Sequence, residues 1–107
     1  MKPERDPFAR VARFEANLFR TPGKGGWHFV TVPTELAPPV MGSWGMTPVI
    51  AKVDGKGWNT TIWHDKQGRS YLPVPKKMRG KKEDGEVVSV EFRVDRERAV
   101  GPAHPLE

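Results

Sequence analysis

The residues able to do chemistry are few, and their spacing excludes most kinds of it. The chain has three histidines, His28, His64 and His104, and no cysteine. Without cysteine there is no thiolate nucleophile, no thiolate zinc site and no disulfide framework. A metal centre needs ligands clustered at short spacing, and the histidines stand far apart. His64 and Asp65 are neighbours, which does not by itself make them a dyad. Ser43, Ser70 and Ser89 lack the Gly-x-Ser-x-Gly turn that exposes a hydrolase nucleophile. The run Thr21-Pro22-Gly23-Lys24-Gly25-Gly26 is rich in glycine. It lacks the Gly-Lys-Ser/Thr order of a phosphate-cradling loop, and no helix signature follows it. It reads as a hairpin turn. The expectation is a non-enzymatic protein with no metal and no cofactor.

Charge gives a more positive signal. The 107 residues include 18 basic and 13 acidic side chains, a net +5. Residues 66–82 hold Lys66, Arg69, Lys76, Lys77, Arg79, Lys81 and Lys82 and no acidic residue. Residues 83–107 hold seven acidic and three basic ones. Such a run is either a solvated turn or a patch facing an anion. As a patch it would contact nucleic acid or another polyanion through phosphates. Binding would be salt-sensitive and weakly selective, because no base-reading motif accompanies the run. A second candidate is the loop Met41-Gly42-Ser43-Trp44-Gly45-Met46. Its Trp44, flanked by Met41 and Met46, either anchors the loop or lines a pocket for a protein or small ligand. Trp27 and Trp58 stand in strand-like runs and are expected in the core.

The elements that must position these residues are short strands. Eleven Gly and eleven Pro are too many for a helical bundle and mark frequent turns. Residues 1–11 read as a loose lead-in, 12–95 as one domain and 96–107 as a frayed tail. Ala12, Phe14, Ala16 and Leu18 alternate with charged or polar residues, the period of a strand. Further strands are expected at Trp27–Val32, Val49–Asp54, Trp58–His64, Ser70–Val74 and Glu86–Asp95, with single helical turns after Pro33 and Pro75. Asp54-Gly55 is a strong hairpin signal. Six strands in so short a chain bury their edges best by closing into a barrel. No apolar run is long enough for a membrane helix, and no secretory signal is visible. A cytoplasmic monomer or weak homo-oligomer is expected.

The chain also repeats itself. Phe29-Val30-Thr31-Val32-Pro33-Thr34-Glu35-Leu36 is echoed 42 residues later by Tyr71-Leu72-Pro73-Val74-Pro75-Lys76-Lys77-Met78. Each copy reads as strand, Val-Pro, helical turn, loop and alternating strand. Two such units can pair about a pseudo-twofold axis and bury a face that neither buries alone.

Phe14-Glu15-Ala16-Asn17-Leu18, Gly26–Pro33, Pro48–Gly55, Trp58–Ile62, Tyr71–Arg79 and Gly85–Val90 form an ordered set. On these pieces the chain resembles a small bacterial domain family of unknown function, often found beside a bacteriocin-protection type domain. The resemblance implies an all-β, six-stranded double-split β-barrel with an internal pseudo-twofold repeat. The second half is also similar to the half-barrels of AbrB, MazE and MraZ type regulators, with Gly85-Glu86 where Gly-Asp is common. The family has no established activity, so it implies no catalytic residues.

Overall fold

The computed structural model describes residues 10–21, 27–40 and 45–100, with residues 99 and 100 described by backbone alone. Alternation builds its strands. β1 (Ala12–Asn17) turns Ala12, Phe14 and Ala16 inward and Arg13, Glu15 and Asn17 outward. β2 is Phe19–Arg20, β3 His28–Val32, β4 Met46–Val53, β5 Lys56–His64, β6 Ser70–Pro73 and β7 Val87–Val94. A 3-10 turn, Thr34–Leu36, follows β3, and a one-turn helix, α1 (Lys76–Arg79), follows β6. Asp54 and Gly55 link β4 to β5 with φ of 50° and 87°, the left-handed pair that a two-residue hairpin requires.

Every pairing is antiparallel, in the order β1-β7-β4-β5-β6-β3-β2. β1 and β2 are consecutive in the chain, so the sheet nearly closes on itself as a barrel. Its interior is mostly aliphatic, with Leu18, Val30, Val49, Val53, Ile62, Leu72 and Val88 all at most 1% exposed.

Three sequence expectations need correction. There are seven strands rather than six, because the expected first strand changes partner at Leu18. The Leu18 amide donates to the Glu86 carbonyl at 2.8 Å, and its carbonyl accepts from the Gly85 amide at 2.7 Å. Phe19 then pairs with Phe29 on β3 instead of continuing along β7. Second, β4 begins at Met46, earlier than the expected Val49. Pro48 is tolerated there because the β7 ladder starts only at Val49. Third, residues 96–100 are not frayed but form a second helix, α2 (Arg96–Val100). The Arg98 guanidinium donates to the carbonyls of Val49 at 2.8 Å and Thr60 at 2.9 Å.

The repeat is visible in the pairing. One half is β1/β2, β3, 3-10 turn, β4; the other is β5, β6, α1, β7. β3 and β6 pair with Val30 opposite Leu72, the two positions that the 42-residue offset equates. β4 and β7 pair with each other around Ala51 and Phe92. Phe14 opposite Val90 is matched by Thr60 opposite Val49. Leu36 and Met78, also equated by the repeat, both pack against the core.

Candidate functional site

Pro73 opens the site. The Val74 amide donates to the His28 carbonyl at 2.9 Å, so alternate β6 residues bond toward β3. Pro73 therefore points its nitrogen toward β5, where it has no hydrogen to give. β5 pairs with β6 only at Trp63–Tyr71 and His64–Ser70. Beyond these the two strands part. Pro75 then starts α1, and Gly80 ends it at φ 62°. α1 is seated by Met78, which packs on the core, while Lys76 and Lys77 stay exposed.

The parting leaves a cleft of about 290 Å³ between β5 and α1. Trp27, Trp58, Pro73 and Val74 give it apolar walls, and His28, Thr60, Lys76 and Arg79 give it polar ones. No acidic side chain among the described residues lines it. Arg79 is half-buried and spends one nitrogen, Nη1, on the Lys82 carbonyl at 3.1 Å.

On the outer face of β2, β3, β5 and β6 lies an aromatic cluster. Phe29 is central, with ring centroids 5.4 Å from Trp63, 6.0 Å from Phe19 and 6.4 Å from both Trp27 and Tyr71. Trp27 and Trp63 also approach each other at 6.2 Å. The cluster floors a shallow groove of about 640 Å³. Trp27 is 57% exposed and Trp63 39%, so the expectation that Trp27 is core is wrong. β3 turns His28, Val30 and Val32 inward, which puts Trp27 outside with Phe29 and Thr31. Trp58 is half-buried against the core. Trp27 borders both the cleft and the cluster, so the two form one continuous surface.

The seven cations of the 66–82 run do not form one patch. Lys66 and Arg69 sit on the β5–β6 turn, before β6, and the others follow β6. Arg69 is tied to Asp65, Nε to Oδ2 at 2.9 Å. Lys82 bridges to Asp54 at 3.0 Å and donates to the Val87 carbonyl at 2.7 Å. Lys76, Lys77, Arg79 and Lys81 remain together at α1. Lys56, distant in sequence, joins them: its Nζ lies 3.5 Å from where a Gly80 side chain would begin. Met41, Trp44 and His104 lie outside the described residues. Met46 is half-buried in β4, its sulfur 3.8 Å from the Thr61 hydroxyl.

His64 and Ser70 are hydrogen-bonded, Nδ1 to Oγ at 2.9 Å, and His64 Nε2 lies 2.9 Å from Thr47 Oγ1. Thr47 donates to the Pro39 carbonyl at 2.7 Å. With that proton committed, Thr47 accepts from Nε2–H, leaving Nδ1 to accept from Ser70. Burial holds the His64 pKa below its usual 6.5. The arrangement resembles a nucleophile and base, but Ser70 is only 3% exposed inside the barrel. The network ties β4, β5 and β6 together.

No helix among the described residues is long and apolar enough to cross a membrane. No curated protein matches the chain. The sequence pattern of a domain of unknown function, DUF1905, matches residues 14–92, which span all of the strands but the ends of β1 and β7. The chain belongs to this family.

Proposed function

We propose that this DUF1905 domain is a non-enzymatic binding module for single-stranded nucleic acid. The observation that carries the reading is the exposed pair Trp27 and Trp63, the first stacked on Phe29 and the second edge-on to it, beside the cations of α1. Bases that are free of a duplex stack on such aromatic faces without regard to sequence, while nearby cations follow the phosphates. The supporting cations are Lys76, Lys77, Lys81 and Arg79, with Lys56 alongside. Lys66 stands at the opposite end of β6, so a strand crossing the aromatic face would meet charge at both ends. Arg69 and Lys82 serve as structural braces on this reading. A duplex suits the surface poorly, since α1 is one turn long and too short to fill a major groove.

Fluorescence anisotropy with labelled oligonucleotides tests this. At about 50 mM salt, where phosphate contacts are strong, single strands should bind and the matching duplex should bind more weakly. Tryptophan emission should be quenched on binding. Equal affinity for duplex and single strands, or no binding at that salt, would overturn the proposal.

A further inference from the structure

The cleft between β5 and α1 is lined by residues with polar atoms that nothing in the fold uses. Among the described residues, two buried side-chain polar atoms lack a hydrogen-bond partner, His28 Nε2 and Arg79 Nε. Both residues line this same cleft. His28 is 8% exposed, so water does not readily compensate its ring. A buried donor without an acceptor is destabilising. The guanidinium is permanently protonated and has no lone pair to offer, so only an acceptor can satisfy Arg79. Lys76 adds a second group that can only donate, and His28 Nε2 can donate as well in one of its tautomers. No carboxylate among the described residues reaches into the cleft, so an anionic ligand would be the acceptor that best suits these groups.

The ligand chemistry follows from the donor set and the space. Several donors without a compensating acid call for a compact oxyanion. A guanidinium and an ammonium together suit a phosphate, whose oxygens take both fork-like and point-charge donors. The volume of about 290 Å³ equals that of about ten liquid waters. That admits a phosphate with part of an attached sugar, not a large cofactor. Trp27 and Trp58 offer planar walls to whatever the phosphate carries. The two partnerless atoms lie just beneath the cleft wall, so capture requires small rotamer shifts of Arg79 and His28.

We infer that this cleft binds a phosphate group, held by Arg79 and Lys76 with His28 as the third partner. The inference deepens the single-strand reading and rests on it for one of two sources. The phosphate is either the terminal phosphate of a bound strand or that of a free nucleotide or inorganic phosphate.

Nuclear magnetic resonance of the whole chain tests it, by titration with inorganic phosphate, a nucleoside monophosphate and oligonucleotides with and without a terminal phosphate. The Arg79 Nε–H and the His28 ring resonances should shift saturably with phosphate. Arg79→Gln and, separately, Lys76→Ala should each weaken phosphate binding about tenfold, as expected for loss of a charge-assisted hydrogen bond. Because Arg79 also braces the Lys82 carbonyl, the exposed Lys76→Ala keeps the test valid if Arg79→Gln unfolds. A preference for the phosphorylated oligonucleotide that vanishes in Lys76→Ala supports the terminal source. Binding of the mononucleotide with no preference among oligonucleotides supports the free source. Phosphate binding with no oligonucleotide binding supports the cleft and overturns only the single-strand reading. Unmoved Arg79 and His28 resonances with every ligand, or equal phosphate affinity in Lys76→Ala and the parent, overturn the cleft.

Discussion

The two halves of the barrel follow one plan of pairing and end in different surfaces. After β3 the chain carries Thr34, Glu35 and Ala37; at the same offsets α1 carries Lys76, Lys77 and Arg79. Ala12 of the first half faces Phe92 of the second, where Trp58 of the second half faces Ala51 of the first. The corner beside β1 and the 3-10 turn is filled by Phe92 of β7, edge-on to Phe14 at 6.4 Å. A cavity of only about 90 Å³ remains there between Ala12 and Ala37, against about 290 Å³ between Trp58 and Arg79. On the paired strands, Ser70 is satisfied by His64, whereas its counterpart His28 keeps an unpartnered Nε2. The frame is held by interior aliphatics that cannot change much without a cavity or a clash. The ends of the strands are not so constrained, and there the corner beside the 3-10 turn became packing and the corner beside α1 became polar.

The largest effect should come from breaking the frame that both halves share. Leu72→Ala, at a fully buried position opposite Val30, should cost about 2–5 kcal/mol. Denaturant unfolding should still show one cooperative transition, because the halves pair with each other and not only within themselves. Two separate transitions would mean that the halves are independent units.

Removing the tryptophans sharpens the contrast next. Trp27→Ala and Trp63→Ala should each weaken single-strand binding by about 1–3 kcal/mol, the usual worth of a base stack. Phe14→Ala, on the other half, should lower stability and leave the affinity unchanged. A smaller effect is expected from charge. Lys76→Ala and Lys77→Ala should each flatten the salt dependence of binding by about 0.7 in the log–log slope, while Thr34→Ala should leave it alone.

The smallest effect concerns His64, the partner of the Ser70 that answers to His28 in the repeat. The folded state holds His64 neutral below its usual 6.5. As pH falls through that value the unfolded chain takes up the proton first, so stability should decline, and continue declining down to the folded pKa. Thermal unfolding across this range should show the decline, and His64→Gln should lessen it. A parent protein that gains stability on acidification would contradict the buried network.

Much of this contrast could be read from the residues, though not all of it. The alternation in Ala12–Leu18 and Val88–Val94 set the interior, and Asp54-Gly55 set its hairpin. The repeat was readable because Val-Pro and a helical turn follow the same kind of strand twice. The change of partner at Leu18 was not, since it depends on where Gly85 and Glu86 lie in space. The cations were visible as a run, but capture of Lys82 by Asp54, a distant turn, was not. The aromatic face had a signal that alternation alone leaves ambiguous. Trp27 and Phe29 share their side of β3 with Thr31, and Val30 and Val32 occupy the other. An exposed polar residue in step with strand aromatics, as Thr31 is with Trp27 and Phe29, marks the outer side. Trp63 and Tyr71 join that face through pairing, which no local pattern reveals.

The central claim is that binding belongs to the second half's end of the barrel, together with the adjoining β2–β3 edge. Mapping amide shifts during titration with a single-stranded oligonucleotide at about 50 mM salt tests it most directly. The perturbed residues should fall in β3, the end of β5, β6 and α1, with Trp27, Trp63 and Lys76–Arg79 foremost. Shifts concentrated at Thr34–Ala37 and β1, or no shifts at all, would contradict it.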